Sequence, residues 1–163
     1  MKTQRASATR RALNFDSLEQ EAFLNVWRTY DRLRTLEDDL FGRFELTPQQ
    51  YNVLRLLQTH HPDGLQTLQL AARLVSRAPD ITRMIDKLAD RGLVERLRRE
   101  ENRRVVEVSI TESGIALLEQ INEPLHQCHS QQLGHMSAAD LKQLCRLLHA
   151  ARKPHESNDS HWT

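Results

Sequence analysis

Catalysis and ligand chemistry need particular residue types close together, and this 163-residue chain places few of them so. Its glycines, Gly42, Gly64, Gly92, Gly114 and Gly134, are never closer than twenty residues apart. A phosphate-cradling loop needs several glycines within about six residues so that backbone N–H groups can approach the anion, and a nucleophile elbow needs glycines flanking a serine. Neither pattern can be written here. Cys128 and Cys145 are too far apart for a CxxC redox or zinc motif, and both are expected as packed helix thiols. Redox sensing would require a thiolate with positive neighbours, for which Arg146 beside Cys145 is slight support. His126 and His129, one helical turn apart near Cys128, could share a zinc ion, as could His60 and His61 in a loop, but no spacing supplies a fourth ligand. No catalytic residue, metal site or cofactor is therefore assigned.

The chemistry that does concentrate is cationic. Lys plus Arg total 23 against 22 Asp plus Glu, a net charge of only +1. Between Arg73 and Arg104, however, ten basic residues face six acidic ones. A local excess of this kind is what meets a phosphate backbone. The N-terminal arm adds Lys2, Arg5, Arg10 and Arg11 with no acid before Asp16. That arm either reaches phosphates or serves only solubility.

These charges must be positioned by a fold. The length suits about one domain, and 39% apolar with 28% charged residues excludes a disordered polyelectrolyte. The longest apolar run, Ile115 to Leu118, is far short of the roughly 20 residues a spanning helix needs, so no membrane partner is expected. No apolar stretch follows MKTQRASATRRAL, so no secretory leader is expected and the location expected is cytoplasmic.

Apolar residues recur at steps of three and four from Phe15 to Phe44, predicting a long helix begun by Asp16 or Ser17 with Gln20. Thr47-Pro48 starts a second, short helix that ends at the turn His60 to Gly64. Leu68 to Leu74 reads as a two-turn helix, followed by a tight joint and a helix from about Ala78 to Arg91 that Gly92 ends. Leu93 to Arg98 and Val105 to Ile110 alternate as two strands around the charged loop Arg99 to Arg104. Thr111 and Ser137 cap two further helices, and Pro124 predicts a kink or a break near residues 120–124. Beyond Pro154 the polar tail is expected to be flexible.

The middle of this order is a helix-turn-helix followed by a wing. Such a unit lays its second helix in the DNA major groove, which is wide enough for one helix and displays a distinct pattern for each base pair. Arg77, Asp80, Thr82, Arg83 and Lys87 lie on the exposed first turns of that helix. Arg83 is a candidate for guanine; Arg73, Lys87, Arg98, Arg99 and Arg103 are candidates for phosphates.

The stretch from Leu70 to Gly114, LAARLVSRAPDITRMIDKLADRGLVERLRREENRRVVEVSITESG, resembles the core of MarR-family transcriptional regulators. The resemblance is carried by Leu70-Ala71, Thr82-Arg83, Asp86 with Leu88, Arg91 to Arg96, Asn102 to Arg104 and Thr111 to Gly114, and with flanking helices it covers about residues 16–152. It implies a mainly α fold with a small β-hairpin wing, in which a winged helix-turn-helix lobe joins a helical dimerisation region. The expected division is a flexible basic arm (1–14), the dimerisation region (15–46 and 111–153), the DNA-binding lobe (47–110) and a flexible tail (154–163). It implies a homodimer that reads a pseudo-palindrome in double-stranded DNA, with Arg104 as the minor-groove arginine of the wing. Asn102 stands where the family usually has an aspartate that pairs with that arginine, so this wing lacks that charge. Pro79-Asp80 replaces the family's small hydroxyl residues, and Asp80 either caps the helix or accepts from a cytosine amino group. Family members often respond to a small-molecule effector, and Trp27, Tyr30 and Tyr51 would either wall such a pocket or pack in the core. The function implied is a regulator, expected as a repressor and not an enzyme. A rival reading keeps the fold as a protein-interaction module with merely solvated charges.

Overall fold

The computed structural model describes residues 15–75, 80–98 and 106–156. Among them the order is α1 (Leu18–Gly42), α2 (Pro48–Gln58), β1 (Leu65–Gln66), α3 (Thr67–Arg73), α4 (Ile81–Asp90), β2 (Val94–Arg98), β3 (Val106–Ile110), α5 (Glu112–Leu133) and α6 (Ala138–Arg152). The chain divides between Arg34 and Thr35 into two compact units.

Local hydrogen bonds start α1, α2, α5 and α6 where the sequence predicts, whereas α4 begins at Ile81 rather than near Ala78 because Asp80 caps it. Ser17 Oγ accepts from Gln20 N at 3.2 Å, while Gln20 Oε1 accepts from Asp16 N at 2.7 Å. Thr47 and Gln50 exchange a reciprocal pair across Pro48, satisfying two amide donors that the first helical turn would leave unpaired. Thr111 Oγ1 accepts from Gly114 N and Ser137 Oγ from Asp140 N, each at 3.1 Å. Gly92 leaves α4 at φ 68°, a left-handed angle that glycine adopts without a Cβ penalty.

Three expectations need correction. The sheet has three antiparallel strands in the order β1-β3-β2, not two, because Leu65 and Gln66 pair with Val108 and Glu107. Helix α5 continues through Pro124, so of the kink or break expected there the break does not occur. The end of α6 winds on into a 3-10 turn, Lys153–His155, and Arg152 Nε donates to Glu156 Oε1 at 3.1 Å, so order extends past the expected start of the tail.

The core lies in the second unit, where Val53, Leu54 and Leu57 of α2, Leu70 of α3, Ile85 and Leu88 of α4, Val108 of β3 and Leu118 and Ile121 of α5 are almost wholly buried. Other apolar stripes are left uncovered. Leu18, Phe23, Val26, Trp27 and Tyr30 of α1 are exposed, and α6 buries no residue while exposing Leu147 and Leu148. No described helix is long and apolar enough to cross a membrane.

At the base of the sheet, a Cβ on Gly114 would lie 2.4 Å from the Leu93 carbonyl oxygen and 2.7 Å from Ile110 Cγ1. Backbone on one side and a core side chain on the other leave no room to yield. Gly114→Ala is expected to cost about 1–3 kcal/mol, as overpacking does, read as a lower urea midpoint with an unchanged slope.

Candidate nucleic-acid interface

Helix α4 is two-sided. Ile81, Met84, Ile85, Leu88 and Ala89 turn toward the core, whereas Thr82, Arg83, Lys87 and Asp90 are exposed. Asp80 precedes the helix, and its Oδ1 accepts from Arg83 N at 3.1 Å. The carboxylate thus has the capping role, at the helix end whose partial positive charge favours an anion. Met84, Arg83 and Lys87 also line a groove of about 330 Å³ with Thr47 and Gln50 at the start of α2.

The basic residues differ in what holds them. Arg96 of β2 donates from Nη2 to Asp86 Oδ1 at 2.5 Å, tying the sheet to the flank of α4. Arg73, half-buried at the end of α3, donates from Nη1 to His60 Nε2 at 2.7 Å. Arginine can only donate, so that ring nitrogen accepts and His60 Nδ1 carries the proton toward the Leu56 carbonyl, 2.9 Å away. Arg91 donates to the carbonyls of Glu45 and Phe44. Arg83 and Lys87, by contrast, have no ion pair with another described residue and project from the exposed face. Arg98 closes β2 opposite Val106 of β3. The remaining candidates, Arg77, Pro79, Arg99, Asn102, Arg103 and Arg104, lie outside the described residues.

Sequence reasoning missed the positioning roles of Asp86, Arg96, Arg91 and His60. Each contact joins residues ten or more apart, so no local pattern announces it.

The aromatic candidates occupy different settings. Trp27 and Tyr30 are each 60% exposed, so neither is core within one chain. Phe23 lies against Trp27 with ring centroids 6.2 Å apart, and Trp27 also lines an open hollow of about 620 Å³ with Phe15, Gln20, Leu24 and Arg28. Tyr51 packs on Phe41 at 4.8 Å in the second unit, and burial pushes its hydroxyl pKa up, with Glu37 adding to the shift and Arg55 opposing it.

Among the described residues no group of three or more His, Cys, Asp or Glu side chains is arranged to hold a metal ion. His129 Nε2 instead lies 3.6 Å from Glu37 Oε1. Cys145 is exposed, contrary to the packed expectation, while Cys128 is buried. Burial pushes the Cys128 thiol up and Glu37 adds to it, against a smaller opposing effect of Arg43. A raised thiol pKa leaves less thiolate at any given pH below it, the opposite of what a redox sensor needs.

Two measurements follow from these settings. Asp80→Ala is expected to lose about 1 kcal/mol of stability while Asp80→Asn, which keeps a capping oxygen, loses far less. If the residue only caps, Asp80→Asn leaves the preferred duplex sequence unchanged, and a changed base preference would show that it reads DNA. In a Cys145→Ser background, iodoacetamide at pH 8 should modify Cys128 at least about tenfold more slowly in the folded protein than in urea. Equal rates would exclude a protected thiol.

Known proteins share this geometry. A family model described as "MarR family" matches residues 46–106, which hold α2 to the first residue of β3. A MarR transcription factor from Planctomyces limnophilus is 57% identical, with 84% of this chain and 99% of that one covered at a TM-score of 0.67. The fold is also that of a mutant E. coli MarR complexed with operator DNA (23% identity, 83% and 99% covered, TM-score 0.72). It is likewise that of Bordetella bronchiseptica BpsR, whose DNA binding is regulated by 6-hydroxynicotinic acid (20% identity, 89% and 100% covered, TM-score 0.75). With a two-sided α4, a sheet tied to its flank and a relative of that identity over nearly its whole length, this chain belongs to the MarR family of winged-helix transcription regulators.

Proposed function

We propose that the chain is a homodimeric, sequence-specific, double-stranded DNA-binding repressor that acts on a pseudo-palindromic operator, is released by a small-molecule effector and performs no catalysis. Residues 47–110 read DNA, and residues 15–46 and 111–153 pair the protomers. The observation that carries this reading is the division of α4 into one buried apolar face and one exposed face bearing Thr82, Arg83 and Lys87. A helix of this kind offers a base-reading surface without unfolding anything to expose it. Arg83 is assigned to a base edge and Lys87 to a phosphate, with Arg73, Arg98, Arg99 and Arg103 as further phosphate contacts. Arg77, Pro79 and Asp80 lead into the reading helix, and Asn102 and Arg104 belong to the wing that enters the minor groove.

Pairing is supported by the uncovered apolar residues of α1 and α6, since exposed stripes of this extent on a folded chain mark a contact surface. For the effector, α1 and the residues just before it offer an open hollow of about 620 Å³ beside Trp27. Tyr30, in the same unit, and Tyr51, in the second, are the other residues proposed for ligand binding. The operator-bound E. coli relative and the 6-hydroxynicotinic acid response of BpsR are in keeping with both parts of the reading.

The test is selection of bound duplexes from a random pool, followed by affinity measurements across salt concentrations. Affinity is expected to fall steeply with salt, and Lys87→Ala is expected to reduce the slope of log K against log salt by about one without changing the selected sequence. Sedimentation should give a dimer. A salt-insensitive affinity, or a monomer that binds the selected duplex at full strength, would overturn the proposal. The repressor assignment is checked by a reporter placed behind the selected operator, whose output should rise when the protein is absent.

A further inference from the structure

The end of α4 meets the stretch of chain that connects α1 to α2, and Arg91 spans the gap. Its Nη1 donates to the Glu45 carbonyl at 2.6 Å and its Nη2 to the Phe44 carbonyl at 3.1 Å, with the Glu45 carboxylate 4.0 Å away. That stretch is the unwinding end of α1, where Phe44 N bonds Phe41 O and Glu45 N bonds Gly42 O in tightened turns. The carbonyls of a helix end lack intrahelical donors, and a cation there both satisfies them and meets the negative end of the dipole. On the opposite flank Thr111 Oγ1 donates to the Gly92 carbonyl at 2.7 Å and Thr111 N to the Leu93 carbonyl at 3.1 Å. Residues 91–93 are thereby fastened to the end of α1 on one side and to the start of α5 on the other.

We propose that Arg91 is a spacing-determining residue: by locking the base of α4 to the end of α1, it sets the angle at which each DNA-reading lobe leaves the paired helices. It thereby sets the separation of half-sites that the dimer accepts. This rests on the reading of the chain as a homodimeric DNA-binding protein. Apolar packing between α4 and the core is non-directional, whereas two charge-assisted hydrogen bonds from one rigid guanidinium fix an orientation. Two of its five N–H groups are engaged by protein carbonyls, one on each terminal nitrogen, which fixes the plane of the guanidinium against the turn. The demand on the angle is strict. One base pair added between half-sites rotates one of them by roughly a tenth of a turn relative to the other.

The experiment compares the wild-type protein, Arg91→Ala and Arg91→Lys on duplexes carrying the selected half-sites at the selected spacing and at one or two base pairs more or fewer. Wild-type affinity is expected to drop about tenfold for a one-base-pair change, comparable to a mismatched base. Arg91→Ala should remain dimeric by sedimentation and lose discrimination, falling only about threefold over the same change, and Arg91→Lys should lie between. The inference is overturned if Arg91→Ala keeps the wild-type spacing profile. It is also overturned if all spacings weaken equally with a salt slope reduced by about one, the signature of a phosphate contact. Should Arg91→Ala not fold, Arg91→Lys decides: a broadened profile supports the role and a wild-type profile removes it. A wild-type protein that selects no duplex fails the functional reading itself, whereas a sharp wild-type profile left unmoved by both variants fails the Arg91 assignment alone.

Discussion

Helix α4 has only one face by which it can be held. It is ten residues long, too short to be stable alone in water, and its outward side is left exposed. Ile85 and Leu88 supply the burial, worth about 1.5–3 kcal/mol each. Burial of this kind holds the helix to the core but does not aim it. Aim comes from directional contacts around its rim: Asp80 at its start, Asp86 to Arg96 at its flank, and Leu93 N to the Leu88 carbonyl at its end. An exposed ion pair such as Asp86–Arg96 contributes at most about 1 kcal/mol to stability, so its importance lies in geometry.

The same division separates the described arginines around α4. Arg73, Arg91 and Arg96 each use part of their donors on partners within the chain, and their charges still add to the local field. A count of basic residues along the sequence measures that field correctly. It does not say which guanidinium can leave to meet a base. Arg83 and Lys87 differ because they lie on the exposed face of α4 with no ion pair to another described residue, and that is a property of the helix's rotation about its own axis.

Much of this was readable from the amino-acid order because the deciding physics is local. A capping oxygen acts within three residues, so Ser17, Thr47, Thr111 and Ser137 mark helix starts whatever surrounds them. The spacing of Ile81, Met84, Ile85 and Leu88 likewise fits a single inner side of α4. Strand β1 escaped notice because two residues carry no periodicity, and they become a strand only through β3, some forty residues further on. Trp27 and Tyr30 show the complementary limit. Helical spacing identifies an apolar stripe, but it does not say whether the same chain covers it. Pro124 removes one hydrogen bond from a long, well-packed helix, and burial of Leu118, Ile121 and Cys128 on either side of it outweighs that loss.

Glu45 is the one described non-glycine residue with a positive φ, 54°, and it sits in the turn that Arg91 grips. A side chain in that conformation costs roughly 1–2 kcal/mol that glycine would avoid. Yet glycine would also return to this corner the freedom of many other backbone angles. Glutamate therefore makes this corner narrower in conformational range than glycine would, at the expense of some backbone strain.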